Sequence, residues 1–171
     1  MRLPLALILF LATLPAQAEP VSHPKGWGLG LMLGWPTGIT AKQWLGGANA
    51  WDIGFGVGPG IRLHADYLWG LAQVLPKNAE ATLDLYLGVG PALSIARGWC
   101  SYPYSPGYGC GGGSVLGGVR VPLGFDVRFK KAPVALGLEL APGLLVGADV
   151  HTLFDIFFFV RFLLDDAAKQ K

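Results

Sequence analysis

The sequence predicts an all-β protein, an eight-stranded antiparallel up-and-down transmembrane β-barrel. Three observations carry this. Apolar and small or polar residues alternate with a period of two along eight segments, the pattern of strands whose successive side chains point to opposite faces. The chain is 52% hydrophobic and only 14% charged, greasy for a domain surrounded by water. Beyond residue 18 no apolar run reaches the roughly 20 residues that a spanning helix needs. An exported chain of this kind hides its apolar surface in a core or shows it to lipid as a closed barrel.

Export is read from the first 18 residues. Met1-Arg2, the apolar run Leu3 to Leu14, and Pro15-Ala16-Gln17-Ala18 make a secretory signal peptide, residues 1–18, cleaved after Ala18. The run is too short for a membrane anchor. Removing 18 of 171 residues leaves 153, one domain. Residues 19–25 form a polar leader, 26–164 the barrel and 165–171 a polar tail. Thirteen basic against eleven acidic residues give a net charge of +2, and no basic patch points to nucleic acid.

The strands follow in order. Trp27, Leu29, Leu31, Leu33 and Trp35 alternate with Gly28, Gly30, Met32 and Gly34. Pro36-Thr37-Gly38 is a tight turn, because Pro fixes φ and Gly permits positive φ. The second strand, Ile39 to Leu45, puts Thr40, Lys42 and Trp44 on one face, and Gly46 to Asn49 turns the chain. The third sets Trp51, Ile53, Phe55 and Val57 against Asp52, Gly54, Gly56 and Gly58, ahead of a turn at Pro59-Gly60. The fourth sets Leu63, Ala65, Tyr67, Trp69 and Leu71 against Arg62, His64, Asp66, Leu68 and Gly70.

After a link from Gln73 to Glu80, the fifth alternates Leu83 to Val89 with Asp84, Tyr86, Gly88 and Gly90. The longest loop, Arg97 to Ser114, holds both cysteines. The sixth strand runs from Val119 to Phe129, with Arg120, Pro122, Gly124, Asp126 and Arg128 on its polar face. After Lys130 to Pro133 the seventh sets Leu136, Leu138 and Leu140 against Gly137, Glu139 and Ala141, and Pro142 interrupts it. Asp149 to Thr152 is the last loop. The eighth strand, Leu153 to Phe162, sets Phe154, Ile156, Phe158, Val160 and Phe162 against Asp155, Phe157, Phe159 and Arg161.

A soluble, lipocalin-like ligand-binding barrel would alternate in the same way with its apolar wall inside. Glycine on the charged wall argues the opposite. A narrow lumen already holding long charged side chains needs small neighbours, whereas a water-facing wall would carry Lys, Glu and Thr. Trp27, Trp35, Trp51, Tyr67 and Trp69 near strand ends suit the aromatic girdles of a membrane barrel. The inward wall then carries Lys42, Arg62, Arg120, Arg128 and Arg161 against Asp52, Asp66, Asp84, Asp126, Glu139 and Asp155, with His64 beside them. Five cations against six anions, in a lumen just wide enough for side chains, predict an ion-paired plug. A pore or proton path is the alternative, which a ring of single-sign charge would have favoured.

Cys100 and Cys110 are expected to form a disulfide in an oxidising compartment. The staple protects an exposed loop. Tyr102, Tyr104 and Tyr108 also offer a preorganised surface for a ligand. For catalysis the pieces are few. His151 stands beside Asp149, and Ser94 or Ser114 can approach from neighbouring strand ends. A lipid A-modifying enzyme, deacylase-like, is the alternative these residues permit. His64 and Asp66 on one inward face read as a lumen hydrogen bond, and no set of metal ligands or cofactor motif is found.

The mature chain resembles the small eight-stranded outer-membrane barrels of the OmpA/OmpX type. More narrowly, Gly34-Trp-Pro-Thr-Gly-Ile-Thr-Ala-Lys-Gln-Trp44 resembles a Gly-x-Pro-Thr-Gly-Ile/Leu-Thr/Ser-x-Lys-x-Trp stretch of small bacterial outer-membrane proteins. The resemblance implies the outer membrane of a Gram-negative cell, with lipid, lipopolysaccharide and the barrel-assembly machinery as partners. It implies no activity. Barrels of this type usually end on an aromatic residue, whereas here Phe162 is followed by Leu163 to Lys171. The expected role is structural or surface-interacting, without catalysis.

Overall fold

A computed structural model describes residues 21–58, 60–76, 79–96 and 114–164. The expected signal peptide, the Cys100–Cys110 pair with its tyrosines, and the tail at 165–171 lie outside these residues.

The strands are β1 (Gly26–Trp35), β2 (Thr37–Trp44), β3 (Asn49–Val57), β4 (Gly60–Gln73), β5 (Ala81–Ala96), β6 (Ser114–Arg120), β7 (Leu123–Phe129), β8 (Val134–Val146) and β9 (Val150–Leu164). Each pairs antiparallel with its neighbours in the ring, and β6 and β7, consecutive in sequence, share one position between β5 and β8. β9 then pairs with β1 from Trp27↔Leu164 to Trp35↔Ile156. The sheet thus closes on itself as a ring of eight strand positions, and closure removes the unpaired edge that an open sheet presents. Gly26 and Leu164, the first and last strand residues, lie at one end of the ring, called here the terminus end. The opposite is the loop end.

Three boundaries differ from the alternation alone. β5 runs on to Ala96, so that Ala92 and Ser94 also face inward. β9 starts at Val150, which shortens the last turn and puts His151 on a strand. β1 and β2 are joined at Pro36, and the Thr37 hydroxyl, by donating to Gly34 O at 2.8 Å, holds that junction closed.

The expected interruption at Pro142 moves elsewhere. β8 passes through Pro142, which lies opposite Phe154, and continues to Val146. The break falls instead at Val121-Pro122, between β6 and β7. The N–H and C=O of a residue in an antiparallel strand point to the same neighbour. Pro142 O accepts from Val121 N at 2.8 Å, so its missing donor also faces that break. Pro122 O accepts from Gly88 N at 2.8 Å on the β5 side. Two prolines share one irregularity, which is where sheets tolerate them.

The two walls are inverted relative to a water-soluble protein. On β9, Leu153, Asp155, Phe157, Phe159, Arg161 and Leu163 are buried. Phe154 and Phe162, by contrast, are 59% and 55% exposed. β3 repeats this with Asp52, Gly54 and Gly56 inside and Trp51, Ile53, Phe55 and Val57 outside. Apolar layers close the interior at both ends. Trp44, Ala50, Leu68, Tyr86, Ala135 and Leu163 form one at the terminus end. Ala92, Leu116, Leu145 and Leu153 form another at the loop end. Inward glycines fit between large neighbours: a Cβ at Gly54 would lie 2.2 Å from the His64 ring, and one at Gly137 2.2 Å from Phe159.

Candidate functional site: a buried charge network

All twelve charged or imidazole residues expected in the lumen are buried. Strand register brings like charges together, since Asp52 stands opposite Asp66 and Asp84 opposite Asp126. Cations from other strands separate them. Nearest the terminus end, Arg128 Nη2 donates to Asp84 Oδ2 at 2.9 Å, and Lys42 bonds Asp126. Lys42 Nζ also sits 4.1 Å from the centre of the Tyr86 ring, an aromatic face that favours a cation.

In the middle, Arg161 Nη2 donates to Asp52 Oδ2 at 2.5 Å and to Thr40 Oγ1 at 2.8 Å. Thr40 in turn donates to Asp52 Oδ1 at 3.1 Å. Toward the loop end Arg120 gathers three carboxylates. Its Nε donates to Asp66 Oδ2 at 3.0 Å, its Nη1 to Asp155 Oδ2 at 3.0 Å and its Nη2 to Glu139. Glu139 also accepts from the Tyr86 hydroxyl at 2.9 Å. Arg62 reaches Asp155 at 3.5 Å and completes the set. Arg120, Arg161 and Glu139 are 0% exposed, and charge this deep is tolerable only when paired and hydrogen-bonded.

His64 departs from expectation. Its Nε2 lies 4.0 Å from Asp66 Oδ2, beyond hydrogen-bond reach, and the ring stacks on Phe157 instead. Neither ring nitrogen has a hydrogen-bond partner among the described residues. Glu139, also expected on the inward wall, comes close to this pair, and donor atoms of His64, Asp66 and Glu139 lie within 4.8 Å of one another. A metal ion does not suit them. Arg120 Nη2, 2.9 Å from Asp66 Oδ2 and bonded to Glu139, already takes the cation's place.

His23, expected in the polar leader, is buried at the terminus end against Arg128 and 3.6 Å from Asp84. Burial first, then the positive charges of Arg128 and Lys42, hold its pKa down at about 3, so it is neutral near pH 7. Its place four residues ahead of the first alternating segment, which begins at Trp27, hid it. A cavity of about 10 Å³, room for one water, lies among His23, Lys42, Trp44, Asp84, Tyr86 and Asp126.

The aromatic residues expected in two girdles are distributed unevenly. Trp51 and Tyr67 meet edge to face at 5.0 Å, and Tyr67 and Trp69 at 5.2 Å. With Trp27, separated from Trp51 by Gln43 across the register, they form one ledge over β1 to β4 at the terminus end. Trp35 alone of the five marks the loop end. As for catalysis, Ser94 is buried inside the ring whereas His151 is exposed on β9. Comparison with known proteins finds no matching family model, no matching curated protein and no matching solved structure.

Proposed function

We propose that the chain is an integral outer-membrane β-barrel whose lumen is filled by paired side chains, with a structural or surface-interaction role and no catalysis. One observation carries the reading: charge is inside and bulk apolar surface is outside, around the whole ring. In water such a wall would be a very large exposed patch. In hydrocarbon it is the favourable arrangement, and a closed ring satisfies every strand's backbone without solvent. Ten residues of β1 at about 3.3 Å each, tilted by about 40°, rise about 25 Å, the height of the apolar band in such barrels.

The same inversion weighs against a soluble ligand-binding barrel, whose apolar wall would line the interior. The network weighs against a pore, because Arg120 and Arg161 bridge the lumen from side to side. Lipid, lipopolysaccharide and the assembly machinery are the partners this reading brings, and the loop with Cys100 and Cys110 remains the candidate surface for an external ligand. Fractionation of a Gram-negative host expressing the chain tests the reading. It should sediment with the outer membrane, fold only with detergent or lipid, and give no steady conductance in planar bilayers. Folded protein in the periplasmic extract without detergent would refute it.

A further inference from the structure

The residues just ahead of β1 do not leave the ring; they turn into its mouth. His23 N donates to Gly47 O at 2.9 Å and Gly47 N to His23 O at 3.0 Å, an antiparallel bridge set outside the closed ladder. Gly47 has φ +72°, a backbone that suits glycine, and so shapes the turn to receive the leader. Val21 is 5% exposed and rests over Gly70, where a Cβ would lie 2.7 Å from Val21 Cγ1 and 2.9 Å from Ala48 O. Gly70 borders the register shift in the β4–β5 ladder, so the cradle coincides with a fault in the sheet. The His23 ring stands edge-on to Trp44 and bonds Arg128.

We propose that residues 21–23 are a releasable stopper for the terminus-end mouth of the lumen. The inference deepens the filled-lumen reading and rests on it, but not on which membrane holds the barrel. The stopper touches two elements that only a side chain of fixed size satisfies: the Gly70 cradle for Val21 and the Trp44 edge with Arg128 for His23. The ring does not depend on it, because β1 closes on β9 from Trp27 onward. Its departure would uncover Lys42, Asp84, Asp126 and Arg128 to water, while Arg120 and Arg161 keep the middle shut.

The test uses Ala50→Cys, a conservative change on the inward face of β3 behind the leader, in a chain with both native cysteines replaced by serine. Reaction with a water-soluble maleimide is timed in detergent micelles. The parent should react slowly. Val21→Asp and Gly70→Ala should each speed labelling at least tenfold, with heat-modifiable gel mobility reporting an intact ring. A chain lacking residues 19–24 should label fast, and a synthetic peptide of residues 19–26 should slow it again. Equal rates in parent and variants, or no protection by the peptide, would overturn the proposal. So would failure of the shortened chain to fold, since the leader would then be part of the ring's foundation and not a stopper. Loss of outer-membrane localisation with the labelling pattern intact would count against the membrane reading alone.

Discussion

Arg161 of β9 and Asp52 of β3 meet inside the ring at 2.5 Å, with β1 and β2 between their strands. Neither is exposed beyond 1%. Breaking a buried pair leaves an uncompensated charge, whereas removing both partners is close to neutral. Arg161→Ala is therefore expected to cost about 3–5 kcal/mol. Arg161→Met with Asp52→Asn should recover part of that loss, the remainder reflecting Arg161's second carboxylate, Asp126 at 3.8 Å. Urea unfolding of the protein in lipid vesicles measures both.

Glycine on the charged wall makes a second prediction. Gly54→Ala would press its methyl into the His64 ring, and overpacking of this kind costs about 1–3 kcal/mol. In the background of His64→Ala the same change should cost under about 0.5 kcal/mol, since the space is then free. A double-mutant cycle by vesicle unfolding separates this coupling from any intrinsic strand preference.

Much of this was legible in the chain. Period-two alternation with glycine on the charged wall placed all twelve lumen residues inside, because side-chain direction in a strand follows from parity alone. What parity cannot supply is height and partner. That Arg120 serves Asp66, Glu139 and Asp155, or that Arg161 crosses to Asp52, depends on how far each strand is staggered in the closed ring. Stagger also misled the reading of Pro142, which is harmless because Val121-Pro122 breaks the neighbouring strand at the same height. His23 was missed for a different reason. It belongs to no strand, and a polar leader gives no signal that it folds back into a mouth.

Acid should loosen the leader. His23 is held at about 3 when docked, against 6.5 for a free imidazole, so the proton favours the undocked form. Arg128 and Lys42 oppose its protonation, while Asp126 favours it more weakly and the Asp84 carboxylate lies 3.6 Å away. Docking is then at full strength above pH 6.5 and weakens about tenfold for each unit below, toward pH 3. Between pH 7.5 and 4.5 maleimide reactivity at Ala50→Cys, after correction for thiolate fraction, should rise by up to about 100-fold. His23→Ala should abolish that dependence. A dependence that persists in His23→Ala would assign the titration to another group.

The orientation of the two walls is the claim on which the rest depends, and tryptophan fluorescence in brominated lipid tests it most directly. Trp27, Trp35, Trp51 and Trp69 stand on the outer wall, whereas Trp44 is buried inside. A lipid-facing wall predicts strong quenching of the folded chain by brominated acyl chains, reduced stepwise as the outer four are replaced by leucine and unchanged by Trp44→Phe. Folded protein whose emission ignores the bromines, and which stays in solution without detergent, would contradict it.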